Sequence, residues 1–366
     1  MKSRRIFQRS ARITRRFAGT DLFEQIFSRV VGLIMEHGFI EEETAFFDGT
    51  HVKASANNHK YRKEIVEKSS KYCEEDLRKE INADREAHGK KPLKDDPEET
   101  PETKENKSST TDPDCGFFHK GEHKKVFAYG VNVACDSNNY VLGFEIDAGN
   151  IHDSVIFPRI YERIIKSHPD IKNVVLDAGF KTPAIARQII KDGRTPVMPY
   201  KRPMTKEGFF KKYEYVYDEY YDCYICPNNS ILAYSTTNRD GYKEYKSNPA
   251  VCASCPYLIK CTQSKNHVKL VTRHIWEEYI EQVEDIRHTT GMKEIYDKRK
   301  ETIERVFADA KELHGMRYAK HRGINRVRME LNLLFACMNL KKLAKRLWKD
   351  ACFLPFLLRF IEIYAV

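Results

Sequence analysis

Two short apolar runs in this chain each end on an aspartate with glycine close behind: Ala45-Phe46-Phe47-Asp48-Gly49, and Val174-Val175-Leu176-Asp177-Ala178-Gly179. Such a run reads as a buried strand, and taken alone the Asp-Gly after it reads as a strand-ending turn. The first strand is expected at about Thr44 to Asp48. Between the two runs, VFAYGVNVACD and YVLGFEIDAG flank DSNN, a hairpin signal, and DSVIFPRIYERIIKSH follows with helical spacing. Beyond Asp177 come a helical PAIARQIIKDG and a short strand, TPVMPY. The order hairpin, helix, strand, helix, strand requires helical crossovers, so the fold class is α/β with a mixed sheet.

At 366 residues, 41% hydrophobic and 11% aromatic, the chain is long enough for one large or two smaller packed domains. Its net charge of +10 favours an anionic partner without choosing among DNA, RNA and an acidic membrane surface. No apolar run reaches the ~18 residues of a membrane span. The start, MKSRRIFQRSARITRRFAG, lacks the apolar core of a secretory signal, so a cytoplasmic protein is expected. In that compartment ten cysteines read as free thiols or metal ligands rather than disulfides.

Five segments follow. Residues 1–40 form a basic, then amphipathic helical segment. Residues 41–202 hold the first part of the α/β core. Within it the charged, apolar-poor stretch 85–114 reads as a flexible excursion, because it buries too little to offset its ordering entropy. Residues 203–290, rich in Tyr, Lys and Cys, form a β-rich insert. Residues 291–349 are helical again, and 350–366 form an apolar tail, interrupted by Arg359 and Glu362, that packs on the core or on a partner.

Ligands of open α/β sheets bind at the carboxyl ends of strands, so Asp48 and Asp177 could share a divalent cation if their strands are neighbours. In KRKETIERVFADAKELHG a third carboxylate, Glu304, lies seven residues before Lys311 and therefore on one helix face with it. Lys300, four residues earlier, shares that face. On the residues alone Glu301 and Asp309 are equal alternatives, and a solvated surface Glu paired at i, i+4 is the plainer reading. Two Asp and one Glu would suit phosphodiester chemistry, which uses two divalent cations about 3.5–4 Å apart.

Through FFDGTHVKASAN, HKGEHKKVFAYGVNVACD, GNIHDS, VVLDAGFKTPAIA, PYKRP and ERVFADAKELHGMRYAKHRG, nearly the whole chain resembles the DDE transposases of bacterial insertion sequences. The resemblance implies a ribonuclease H-like mixed sheet with helices on both faces, and Asp48, Asp177 and Glu304 as a catalytic triad binding Mg²⁺ or Mn²⁺. It also implies double-stranded DNA, both element ends and target, as the partner of Arg299, Lys300, Lys311 and Arg317. A nucleoid-associated protein with no membrane partner is expected, its oligomeric state left open between a homodimer and other forms. The family signature Tyr-x2-Arg-x3-Glu-x6-Lys fits Tyr296, Arg299, Glu304 and Lys311 except for one extra residue between Arg and Glu, which puts Lys300 one helical turn before Glu304. His152 and Asp153 match a family pattern after the hairpin; as residues they read as a helix N-terminus. The family's N-terminal DNA-recognition domain is expected to be missing.

Cys223, Cys226, Cys252, Cys255 and Cys261 offer five thiols for a four-ligand zinc site. A ribbon would use Cys223, Cys226, Cys252 and Cys255, whereas the similar cysteine-bearing insert of this transposase branch selects Cys226, Cys252, Cys255 and Cys261. A structural Zn²⁺ is expected there, interrupting the core before its last catalytic helix. The alternative to a working transposase is a truncated, inactive zinc- and DNA-binding remnant or regulator of an intact one.

Overall fold

The computed structural model describes residues 16–17, 19–67, 74–93, 103–120, 124–202 and 204–349. The basic start and the apolar tail 350–366 lie outside the described residues, apart from residues 16 and 17. In chain order the first elements are α1 (Leu22–Glu36), β1 (Thr44–Lys53), β2 (Tyr61–Glu67), α2 (Glu74–Ala87), β3 (Thr103–Ser109) and β4 (Gly116–Lys120). Then come β5 (Lys124–Asp136), β6 (Val141–Ala148), α3 (Asp153–Ser167), β7 (Asn173–Val175), α4 (Pro183–Lys191) and β8 (Thr195–Val197). These strands make one sheet in the order β2-β3-β4-β5-β1-β7-β8, with β6 also on β5. β1 runs antiparallel to β5 and parallel to β7, and β7 parallel to β8, so the sheet is mixed.

Alternation along β1 divides the core in two. Phe46 faces a cluster shared with α1 through Val30 and Ile34. The same cluster includes Val306 of α9 (Ile303–Leu313) and Phe335 of α10 (Ile324–Lys349). Ala45 and Phe47 face a second cluster with Phe157 and Tyr161 of α3 and Ile185 and Ile189 of α4. Helices therefore cover both faces.

A separate five-stranded sheet follows the core strands, in the order β13-β12-β11-β10-β9. It comprises β9 (Val216–Asp218), β10 (Cys223–Ile225), β11 (Ile231–Thr237), β12 (Tyr242–Ser247) and β13 (Leu270–His274). Two short helices, α5 (Pro249–Ala253) and α6 (Leu258–Cys261), interrupt it between β12 and β13. The next helix, α7 (Glu277–His288), buries Val283 in the second core cluster rather than in the insert. The extra sheet thus ends near residue 274, before the expected limit of 290. One last short helix, α8 (Met292–Asp297), precedes α9.

The expectation of a flexible stretch over 85–114 is corrected at both ends. Its start belongs to α2, whose Leu77 and Ile81 pack with Trp276. Its end contains β3, whose sequence TKENKSS carries no apolar signal but pairs along its length with β2. There Lys107 lies over the rings of Tyr61 at 4.6 Å and Phe117 at 4.9 Å. β1 also runs five residues past Asp48, to Lys53.

α10 is tied to the sheet by one buried amide. Asn339 is fully buried; its Nδ2 donates to the Val141 carbonyl at 2.8 Å and its Oδ1 accepts from the Val141 N–H at 2.9 Å. Asn339→Leu keeps the volume but strands both backbone groups, which should lower unfolding free energy by about 2–4 kcal/mol. A urea midpoint shifted by the equivalent of less than ~1 kcal/mol would refute this account of the contact.

Candidate active site

The parallel register of β1 with β7 pairs Phe46 with Val175. Two residues beyond that pair stand Asp48, midway along β1, and Asp177, just past the end of β7, within electrostatic reach of one another. Glu304 lies in the exposed first turn of α9, whose opposite side buries Ile303, Val306, Phe307 and Ala310. Tyr296 lies within electrostatic reach of all three carboxylates. Burial raises its phenol pKa most, Arg299 opposes this, and Asp177, Asp48 and Glu304 add to the rise.

The helical reading that put Lys300 on the Glu304 face is corrected here. The segment is not one helix: α8 ends at Asp297, a single 3-10 turn spans Lys298–Lys300, and Thr302 leaves helical geometry at φ −107°, ψ −99°. That break absorbs the extra residue of the signature. Lys300 is left exposed, while Arg299 is buried and turned into the site. Arg299 Nη2 donates to Asp48 Oδ2 at 2.7 Å and Nη1 to the Phe47 carbonyl at 3.3 Å. Of the other cations expected here, Lys311 donates to the Thr50 hydroxyl and Arg317 pairs with Glu312 on the surface.

Asp48 is pushed up to about 6, above the ordinary carboxylate range. Burial is the main cause, opposed by Arg299 and by the Gly49 N–H, which donates to Oδ1 at 2.8 Å; Asp177 and Asp153 push the same way as burial. Asp153 comes from the start of α3, where His152 is the N-cap and accepts from the Ser154 N–H at 3.2 Å. The helix-start reading of this pair therefore describes His152, but Asp153 does more. Its Oδ1 accepts from Asn132 Nδ2 at 3.1 Å, and Asn132 stands opposite Gly49 in the β1–β5 register. Asn132 went unrecognised in the sequence, since nothing local marks it.

The donor set at this end of the sheet is all hard oxygen, which fits Mg²⁺ or Mn²⁺ rather than a soft metal. In the insert, Cys226, Cys252, Cys255 and Cys261 line one cavity of ≈ 400 Å³. Cys226 Sγ accepts from the Ser230 N–H at 3.4 Å and Cys261 Sγ contacts the Tyr215 hydroxyl at 3.2 Å; burial pushes the Cys261 thiol up, and the Tyr215 contact opposes that rise. Cys223 is buried elsewhere, with Asp218 and Asp222 as its charged neighbours. Soft thiols in this number suit Zn²⁺. Among the described residues no three His, Cys, Asp or Glu side chains are drawn together at metal-holding distance.

A Cβ built on Gly49 would lie 2.5 Å from Asp153 Oδ1. Gly49→Ala should therefore displace the Asp153 carboxylate and destabilise the fold by about 1–3 kcal/mol. Adding Asp153→Ala should restore most of that loss in thermal melts, a coupling that additive losses would disprove.

Residues 225–344 match the family model described as a transposase DDE domain. No curated protein and no solved structure matches the chain. The matched span contains Arg299, Glu304, Lys311 and the four thiols of the cavity, while Asp48 and Asp177 precede it. Over that span, about a third of the chain, the sequence is similar to the DDE transposase family.

Proposed function

We propose that this protein is a metal-dependent DDE transposase with a ribonuclease H-like core, in which Asp48, Asp177 and Glu304 hold two Mg²⁺ or Mn²⁺ ions. The observation that supports this reading is the parallel β1–β7 pairing, with Asp177 acting electrostatically on Asp48 and Tyr296 within reach of both and of Glu304. Bound cations would activate the attacking oxygen and stabilise the leaving oxygen of an in-line displacement at phosphorus. In the first step water adds to an element-end phosphate and the 3′-oxygen leaves with a proton as a hydroxyl. In the second that hydroxyl attacks a target phosphate and displaces the target strand's 3′-oxygen.

The chain's own groups have separate tasks. Arg299, held by the Phe47 carbonyl, keeps the Asp48 carboxylate ionised against its burial and fixes its direction. Lys311 and Arg317, with Lys300 on the exposed turn, neutralise phosphates of duplex DNA beside the cut. The protein acts as a homodimer at the bacterial nucleoid, in the cytoplasm. Among the described residues no helix is long and apolar enough to cross a membrane. Cys226, Cys252, Cys255 and Cys261 hold a structural Zn²⁺ that completes an insert with little aliphatic core: its small cluster is Tyr215, Tyr224, Leu232, Tyr245 and Val271.

Purified protein incubated with pre-cleaved DNA ends and supercoiled plasmid in Mg²⁺ or Mn²⁺ should give joined or nicked products. These should vanish with chelator and in Asp177→Asn, and Arg299→Ala should fall by about 10²-fold or more through misplacement of Asp48. If wild type and Asp177→Asn stay equally inert while folded and bound to DNA, the protein is a non-cutting remnant instead. Metal analysis of the same preparation should find about one zinc per chain, retained in Cys223→Ser and lost in Cys226→Ser. Loss in both, or in neither, would contradict the assignment of ligands.

A further inference from the structure

The loop between α9 and α10 is built more firmly than a connection of its length requires. Gly315 (φ 74°) and Gly323 (φ 88°) turn the chain at its two ends. At the first, the Met316 N–H donates to the Ala310 carbonyl at 3.0 Å; at the second, the N–H groups of Gly323 and Ile324 donate to Asp112 Oδ1 and Asp114 Oδ2 at 3.0 and 2.9 Å. In between, the loop pairs with the free edge of β1. Lys53 N–H donates to the Arg317 carbonyl at 3.1 Å, and Ala319 N–H donates to the Lys53 carbonyl at 2.8 Å. Met316 and Ala319 are buried in the main core.

What this frame presents outward is cationic. Arg317, Lys320 and Arg322 are exposed on the loop, and exposed Lys53 joins them from β1. Lys53 Nζ lies 5.5 Å from the ring of Tyr318, itself 61% exposed, and Arg322 Nε is fixed to the Ser55 carbonyl at 2.8 Å. The acids facing the row are Glu312, paired with Arg317 at the surface, and Glu330, 3.8 Å from Lys320. The exposed Arg317–Glu312 pair holds by ~1 kcal/mol or less and gives way to phosphate, whereas Glu330 is mostly buried and also accepts from the Lys320 N–H at 3.1 Å.

We infer that Lys53, Lys320 and Arg322, with Arg317, form a preset clamp for the phosphate backbone of duplex DNA on one side of the scissile bond. This inference rests on the transposase reading. Lys53 stands five residues beyond Asp48 on the same strand, about 17 Å at strand rise, with its side chain on the opposite face by alternation. The clamp reads no bases: it fixes register and lends affinity that depends on salt.

The test is DNA binding by the full chain in chelator, in an Asp177→Asn background, by anisotropy of a labelled duplex oligonucleotide across a salt series. Lys53→Gln/Lys320→Gln/Arg322→Gln should flatten the plot of log K against log salt by about 2.7, at about 0.9 per lost phosphate contact. Glu312→Gln, which leaves the frame intact and releases Arg317, should bind more tightly than its parent. A triple variant with the parent's slope and a native melting profile would overturn the inference, as would unchanged or weaker binding by Glu312→Gln. Preferential displacement of the probe by duplex RNA would also overturn it. Because no cutting is required, an inactive wild type would count against the transposase reading alone, and an unaltered slope in a protein that cuts would count against the clamp alone.

Discussion

The strand that carries Asp48 has a full-length partner on one edge and partners only at the ends of the other. β5 pairs with it from Ala45 to Lys53. On the opposite edge β7 covers Thr44 to Phe46, and the loop after α9 takes up the backbone of Lys53. In the gap, backbone groups that a sheet would normally satisfy are met by side chains: the Phe47 carbonyl by Arg299, and the Gly49 N–H by the Asp48 carboxylate. Buried backbone groups must be paired somewhere, so a strand uncovered at this point requires polar side chains there. The opening in the sheet and the presence of an arginine and a carboxylate within it are thus one structural fact.

That gap gathers like charges. Asp177 and Asp153 both raise the Asp48 pKa, and burial raises it further, so the arrangement opposes its own ionisation. Arg299 is the compensating charge. Its contact with Asp48 is largely shielded from water, where a charge-assisted bond is stronger than at the surface. Its second bond to the backbone of the same strand prevents it from following the carboxylate as a flexible lysine would. A lysine offers no planar fork to span a carboxylate and a carbonyl at once, which is a physical reason for arginine at this position.

Asp48 and Asp177 were legible because each closes an apolar run that could only be a buried strand, and register then set them side by side. Glu304 rested on the family resemblance, since Glu301 and Asp309 competed with it on helical spacing alone. Arg299 was not. Helical periodicity favours Lys300, and only the break at Thr302 rotates Arg299 into the site, a tertiary outcome with no local signal. β3 was missed for a similar reason, since TKENKSS is held by strand pairing and by Lys107 between two rings rather than by any apolar face. Among the cysteines, spacing left two ligand sets open. Which thiols share a cavity depends on how α5 and α6 fold back beside the β10–β11 turn, and sequence spacing does not encode that.

α2, whose last three residues fall in the stretch read as flexible, is the strut between the two sheets. Its Asp84 meets Lys243 at 2.7 Å and accepts from the Thr237 hydroxyl at 2.5 Å; Arg85 donates to the Thr236 hydroxyl and the Thr237 carbonyl at 2.9 and 2.7 Å. One turn earlier, Glu80 takes Arg187 of α4 at 2.8 Å and the Trp276 indole, so the same helix grips the core. Just past its end, His88 stacks on Tyr234 at 3.7 Å and meets Asp222 at 2.8 Å. Asp222, in a left-handed conformation at φ 44°, also accepts from Tyr217 and Tyr245. Such a network is rigid because each buried polar group depends on the next. A helix so highly charged has little to bury on its own, and it is ordered because both of its neighbours supply the counter-charges. The insert is therefore carried by the core through α2 as well as through the chain connections at its ends.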